Sequence, residues 1–560
     1  MPSIDPATPR LDTRFLGWLF ILIATAMQLA RILGVAAPHG ELPFLSANDR
    51  SRWCAIAALT EDGIWEIDRV QEKLDSKGKS RIWYSIDMVK HRGPDGVEHS
   101  YSSKPPLLTL MLAAVCKPLT WIAGSKLTEE PFLIGRWLLV VVNLVPLALW
   151  WCWFHRWLES NVYNAWTRLM LLQASIWGSF MTTFAVTLNN HLHGAIFFTI
   201  SLVLVLQILR NARAGFCTGW GEWLSLGVSA AMTVACELPA LAWAAAIALI
   251  LLWVDWKRWL VGFGVGGGMV AAAFLLTNLW AHGDWRPPYS HRGLGPEIGL
   301  VATTGAADAD EEALPDVREM VKILGERYPL TENATIAPAR LDGIKQLIEP
   351  SNGFRLALKR TERGWVAYEW DDWYDYPNSY WLPGNKKGVD IGEPEPVWYT
   401  IHFLIGHHGV FSLTPLWLWS LVGAGMWMRS GKRSLQPEAD PGVSHLGAGW
   451  KDWLLSERGV AAALLAVTLA CTVFYATRDQ VDRNYAGVSS GFRWLFWLIP
   501  AWLILAAPAV QWSSQRKVFR VLVLIALTIG VVSATIPWTN PWTHPWPYRV
   551  LIWKYPDLFK

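Results

Sequence analysis

Eleven stretches of about 20 apolar residues recur along this chain, and a helix of that length matches the roughly 30 Å hydrocarbon core of a bilayer. They run over 15–37, 132–154, 165–188, 191–209, 222–238, 239–256, 259–281, 408–428, 459–477, 493–512 and 519–538. Composition agrees with a polytopic membrane protein: 52% of the 560 residues are hydrophobic and 17% charged, against about 25% charged in an ordinary soluble domain. Thirty-eight tryptophans fit too, because the indole ring favours the headgroup level, where one edge is apolar and the N–H stays wet. Disorder, a collagen-like fibre and an ordinary soluble enzyme are excluded. A net charge of +3, with no basic run interleaved with aromatics, argues against nucleic acid and leaves membrane lipids and small or polymeric substrates as expected partners. The six cysteines show neither CxxC nor Cys/His metal spacing and read as small core residues.

A twelfth stretch, 105–123, begins Lys104-Pro105-Pro106 and is interrupted by Lys117-Pro118, where proline removes a backbone donor and clashes with the preceding turn. Basic residues decide its reading, since cytoplasmic loops carry the excess of Lys and Arg. If 105–123 lies along the membrane and the N-terminus is inside, nearly every basic cluster falls on the cytoplasmic side, from Arg10/Arg14 through Arg210/Arg213 and Lys257-Arg258 to Arg516-Lys517. If it crosses, every later cluster moves outside. Eleven spans are therefore expected, with a cytoplasmic N-terminus and an external C-terminus. The first span is too long, and too poor in cleavage-site character, for a removed signal peptide.

The expected fold is an all-α polytopic membrane protein with juxtamembrane helices in its first external loop and a mixed external subdomain. It divides into a transmembrane module over 1–281 with the first loop at 38–131, an external, periplasmic segment over 282–407, and a second transmembrane module over 408–560. No repeat of fixed period occurs. The Ala/Asp/Glu-rich stretch 300–314 reads as a mobile surface loop and 430–451 as a cytoplasmic linker.

With this orientation the polar residues near membrane depth share one side: Asp49, Lys104, Asn189, Asn190, His191, His193, Glu237, His402, His407, His408, Arg483 and Arg493. Ionisable groups at that depth are costly and point to function, so a single external, membrane-level site is expected. Glu237-Leu238-Pro239, at a hairpin tip, reads as a turn.

The most specific signals lie in the first loop: Asn48-Asp49-Arg50-Ser51-Arg52-Trp53, then Asp62-Gly63-Ile64-Trp65, then Tyr101-Ser102-Ser103-Lys104-Pro105-Pro106-Leu107-Leu108. Together they resemble the GT-C membrane glycosyltransferases, in particular the aminoarabinose transferase and protein O-mannosyltransferase relatives of bacteria. There the first external loop runs Asp-Glu-x-Arg-Tyr, Gly-Asp-Trp, and a Tyr-x-x-Lys-Pro-Pro-Leu start to a surface helix. Ile134-Gly135-Arg136-Trp137 is similar to that family's Ala-Arg-Leu-Pro, and Asn484-Tyr485-Ala486-Gly487 with Gly491-Phe492-Arg493-Trp494 resembles its Tyr-Gly-Gly and Gly-x-Arg-Tyr.

The resemblance implies an inverting transfer of a sugar from a polyprenyl-phosphate donor to a lipid, glycan or protein acceptor outside a bacterial inner (plasma) membrane. Asp49 would be the catalytic base, and Lys104, Arg493 and Arg52 would hold the donor phosphate. Asn189, Asn190, His191, His407, His408, Trp370 and Asp372 are the expected acceptor-binding or cavity-lining residues. No cofactor is firmly implied. Arg50 in place of the family's Glu, Leu188-Asn189-Asn190 in place of its second acidic position, and Ser103 before Lys104 count against a divalent metal; His191, His193, His407 and His408 keep that question open.

Each role has a structural alternative. Asp49 could cap the helix over 50–59, Lys104 could snorkel to the interface, and Arg493 could be an interfacial anchor. The run Trp370-Asp371-Asp372-Trp373-Tyr374-Asp375-Tyr376 suits either sugar binding or a subdomain core, and His407-His408 either a site or packing. The rival function is a transporter or lipid flippase lined by the same groups, which would normally carry internal repeats and broken helices in matching halves. A non-catalytic membrane scaffold is a third reading.

Overall fold

The apolar stretches fold as helices in the computed structural model, which describes residues 13–38, 40–302, 316–339, 343–382, 384–430 and 450–555. Most of the expected mobile stretch 300–314 and of the linker 430–451 lies outside the described residues. Nine helices among the described residues are long and apolar enough to cross a membrane: Thr13–Leu33, Pro106–Ala123, Pro131–Asn161, Ala165–Val186, Asn190–Arg213, Trp256–His282, Glu457–Ala476, Arg493–Ser513 and Lys517–Thr535. The architecture is that of an integral membrane protein.

All but Pro106–Ala123 coincide with expected spans. Three other expected spans are shorter helical pieces, Trp220–Cys236, Leu238–Leu252 and Trp417–Ser430. Their shortening has local causes. Glu237 is extended (φ −136°, ψ 98°) and stops the first at Cys236, and Pro415, which cannot donate to a preceding turn, delays the third until Trp417.

Pro106–Ala123 is tied at both ends to the loop that precedes it. Ahead of it, Ser102 meets Ser51 of helix Ala47–Glu61 through their hydroxyls at 2.8 Å. Behind it, Thr128 donates its N–H to Glu61 at 2.9 Å and accepts from Lys73 Nζ at 2.8 Å. These ties hold Pro106–Ala123 alongside helix Ala47–Glu61.

Ile499–Ser513 is buried along almost its whole length and forms the middle of the bundle. Trp417–Ser430 crosses it at Gly423, where an added Cβ would come within 1.9 Å of the Leu505 carbonyl oxygen, so only glycine allows the approach. The outer helix Trp256–His282 instead exposes Val261, Met269, Leu276 and Trp280, a surface suited to lipid.

Among the described residues two antiparallel sheets lie outside the helices. Strands β1 (Met88–Arg92) and β2 (Glu98–Ser102) form a hairpin. Its turn, Gly93-Pro94-Asp95-Gly96, is built by Asp95 Oδ1 accepting from Val97 N at 3.0 Å and by Gly96 at φ +78°. The larger sheet has the order β3-β7-β6-β5-β4, with β3 Arg292–Ala302, β4 Thr335–Pro338, β5 Ile344–Glu349, β6 Phe354–Thr361 and β7 Gly364–Asp372. Helix Val317–Leu324 packs Met320 and Leu324 on its core residues Leu347, Leu356, Leu358 and Ala367. The hairpin joins this sheet through Lys90 N donating to Trp373 O at 2.9 Å and through the Arg355–Glu98 ion pair at 3.1 Å.

Candidate active site

A cavity of about 410 Å³ lies where the sheets meet the helix ends. Its lining brings together segments far apart in the chain: Asn48 and Arg52; Asp87, Ser103 and Lys104; Asn190 and His191; Glu237; Tyr289 and Arg292; Tyr374 and Trp381; Tyr475, Arg478 and Asp482; Arg493 and Trp494.

Helical phase decides what helix Ala47–Glu61 contributes. Ser46 caps it, its side chain accepting from Asp49 N at 3.1 Å. Asn48 and Arg52, four residues apart, share one face and reach the cavity. Asp49 and Trp53, about 100° further round, face the packed interior, where Trp53 Nε1 donates to Asp49 Oδ1 at 2.8 Å. Leu188 N donates to the same oxygen at 3.0 Å and Leu45 N to Oδ2 at 3.0 Å. Burial pushes the Asp49 carboxyl up to about 7 against the pull of these three hydrogen bonds. The side chain is fully buried and is not part of the cavity wall. The structure commits the oxygens of Asp49, the expected base, to holding the first loop against Leu188 and places them outside this cavity wall.

Among the described residues three carboxylates line the cavity, Asp87, Glu237 and Asp482, and of these Asp87, which no motif singled out, stands beside Lys104. The hairpin register pairs Met88 with Ser102, and one step beyond that pair Asp87 meets Ser103 and Lys104. Lys104 Nζ donates to Asp87 Oδ2 at 2.6 Å and Ser103 Oγ to Oδ1. Burial works to raise the Asp87 carboxyl, but Lys104, Ser103 and Arg493 together outweigh it and hold the group below its ordinary value. On Lys104 burial wins, pulling the ammonium below its ordinary value despite Asp87.

Arg52 is the outlier in this wall. Its side chain is 1% exposed, and among the described residues neither Nε nor Nη1 has a hydrogen-bond partner. Burial pulls its guanidinium below the ordinary arginine value, against the lift from nearby Asp49, Asp87 and Glu237. A buried cation with unused donors beside a cavity is a seat for an anion, because leaving it unpaired is costly.

Arg493 is held from three directions. Nε donates to Ala486 O at 2.9 Å, Nη1 to His191 Nε2 at 2.8 Å, and the guanidinium lies 4.9 Å from the Trp542 ring centre. The loop supplying Ala486 is strained: Tyr485 (φ 55°) and Ala486 (φ 70°) both occupy the left-handed region, which non-glycine residues rarely adopt.

The remaining expected residues divide between the cavity and the framework. Asn190 and His191 line the cavity. Asn189 does not: it caps helix Asn190–Arg213, accepting from Leu192 N at 3.0 Å and donating to Phe184 O at 3.0 Å. His193 bonds Asn189 O at 2.9 Å, again within the framework. His407 and His408 are buried in an aromatic cluster with His402, Tyr485 and Tyr548 and are absent from the wall, so their expected cavity role is corrected to packing behind the strained loop. Trp370 and Asp372 on β7 are corrected likewise: Trp370 lies 5.5 Å from the Arg355 guanidinium carbon, and Asp372 accepts from Tyr374 N at 3.1 Å. That aromatic run reaches the cavity through Tyr374, whose ring lies 4.5 Å below Arg292.

The cavity carboxylates are each engaged by a basic side chain. Asp87 is paired with Lys104, Glu237 with His191, and Asp482 with Arg292 and Arg478. Among the described residues no group of three or more His, Cys, Asp or Glu side chains could hold a metal ion.

No protein-family model matches the chain, and no curated protein matches it. Two solved structures are similar in overall shape. One is the archaeal oligosaccharyltransferase AglB from Archaeoglobus fulgidus in complex with an inhibitory peptide and a dolichol-phosphate, at 11% identity and a TM-score of 0.41 over 98% of this chain. The other is the Archaeoglobus fulgidus oligosaccharyltransferase in the apo form, at 12% identity and a TM-score of 0.39 over 97% of this chain. The chain spans about 60% of the length of either.

Proposed function

We propose that the chain is a membrane-embedded glycosyltransferase of the GT-C type that moves a sugar from a polyprenyl-phosphate donor to a lipid, glycan or protein acceptor at the external face of the membrane. The observation that carries this reading is the buried Arg52 guanidinium, whose Nε and Nη1 have no hydrogen-bond partner among the described residues, in one cavity wall with Lys104 and Arg493. Three cations around one space suit a phosphate that gains charge as its bond to the sugar breaks, and Arg offers planar, paired donors to such oxygens. The position of the cavity at the helix ends supports a donor whose isoprenoid tail stays in lipid. The sheet-bearing end is then external, in agreement with the distribution of Lys and Arg, and Pro106–Ala123 lies along the membrane beside helix Ala47–Glu61.

In this mechanism the acceptor oxygen attacks the anomeric carbon, the bond from that carbon to the phosphate oxygen breaks, and polyprenyl phosphate leaves against Arg52, Lys104 and Arg493. The acceptor proton passes to Asp87, the carboxylate in the cavity wall that Lys104 keeps ionised. A single displacement of this kind inverts the anomeric centre. Tyr374, Trp381 and Trp494 offer ring faces to the sugar or acceptor.

The test is transfer of radiolabelled sugar from a panel of polyprenyl-phosphate sugars by the purified protein in detergent with a crude acceptor fraction. Label moving into acceptor supports the transferase. Polyprenyl phosphate bound by the folded protein, with no transfer from any donor in the panel, would favour the flippase.

A further inference from the structure

The contacts behind Arg493 form a chain whose proton placement can be read. Nε2 of His191 faces Arg493 Nη1 at 2.8 Å. A guanidinium only donates, so Nε2 accepts and the ring proton sits on Nδ1. That Nδ1–H points at Glu237 Oε1 in a close contact. Asn190 Nδ2 donates to the same oxygen at 2.9 Å and to Cys236 O at 2.9 Å, fixing the carboxylate from a second side. Gly194 allows the approach: a Cβ there would stand 3.0 Å from Glu237 Cγ. Ala486 and His191 take two of the five N–H donors of Arg493, and none of the others is claimed by a described residue.

We propose that Glu237 and His191 are positioning residues in series: Glu237 fixes the tautomer and ring orientation of His191, and His191 Nε2 pins the Arg493 guanidinium so that its free edge meets the leaving phosphate. This rests on the polyprenyl-phosphate reading above. It gives Glu237 a role beyond ending a helix, and it places neither residue in contact with the reacting atoms.

The experiment measures affinity for undecaprenyl phosphate in detergent, with thermal unfolding alongside, for the full-length wild type, His191→Leu, His191→Gln, Glu237→Leu and the double variant His191→Leu/Glu237→Leu. Loss of one buried hydrogen bond to Arg493 is expected to weaken binding roughly 10-fold or more in each leucine variant. The double variant is expected to be no weaker than either single one, because the two residues act through one contact. His191→Gln is expected to recover most of the affinity, since its amide oxygen can accept from Arg493 while its N–H₂ meets Glu237. Folded leucine variants that bind as tightly as the wild type, additive losses in the double variant, or a His191→Gln variant no better than His191→Leu would overturn the series. A folded wild type that does not bind the probe would overturn the donor reading and the series with it, whereas a wild type that binds, with His191→Leu equally tight, would overturn the series alone.

Discussion

The pocket around Asp49 and the cavity wall around Arg52 begin three residues apart on one helix, yet they are opposite solutions to burying a charge. Around Asp49 three N–H donors from Leu45, Trp53 and Leu188 answer both carboxylate oxygens. Around Arg52 two buried guanidinium nitrogens remain unanswered by any described residue, and the side chain lines a cavity. A saturated buried group holds a structure together. An unsaturated one beside space has capacity for a ligand, because the fold retains a group that would be costly unless something pairs with it.

The comparison is most strongly challenged by exchanging the carboxylates. Asp87→Asn is expected to reduce transfer per folded molecule by roughly 10² to 10⁴-fold, the range for a general base, and also to lower the unfolding temperature, because Lys104 loses its buried charge partner; initial rates on labelled donor, normalised to folded protein, check it. Next, Arg52→Met should remove an unpaired buried cation. Affinity for undecaprenyl phosphate should fall roughly 10-fold or more, as for a lost charge-assisted contact, while unfolding in the absence of ligand stays where it was or moves up. Isothermal titration and a melting curve read the two effects separately.

Asp49→Asn should show the converse, a stability cost of about 1–3 kcal/mol from disturbed buried donors with transfer per folded molecule retained. Its pH dependence has a definite sign. Because the folded-state pKa is raised to about 7, the protonated form favours folding and the contribution of Asp49 weakens as pH rises from about 4 through 7. The penalty of Asp49→Asn should therefore be largest near pH 4 and shrink toward pH 7, as measured by denaturation across that window. The smallest effect belongs to Trp370→Phe, which lies off the cavity and should leave the transfer rate within about twofold.

Much of this arrangement is legible in the chain. Apolar periodicity locates the helices, and the Lys-Pro-Pro start marks a helix that both ends tie to its own loop. Arg52, Lys104, Asn190, His191 and Arg493 were expected at one site and do line one cavity. The placement of Asp49 turns on helical phase: a motif specifies positions, whereas a single step of about 100° separates a residue in the wall from one in the core. Asp87 depends on a long-range register. The Pro94-Asp95-Gly96 turn was the available signal, since folding the chain there brings Asp87 beside Ser103. Glu237 looked like a turn because its partners, Asn190 and His191, come from another helix. The histidine pair and the β7 aromatics were legible as buried or partly buried groups, but not as framework, because packing and site lining use the same residue types.

The most direct measurement compares initial transfer rates, per folded molecule, for the wild type, Asp49→Asn and Asp87→Asn on the same labelled polyprenyl-phosphate sugar. The account predicts that Asp49→Asn keeps the wild-type rate and Asp87→Asn loses it. Loss of transfer in a folded Asp49→Asn protein, with Asp87→Asn still active, would return the base to the first-loop motif and contradict its assignment to the cavity wall.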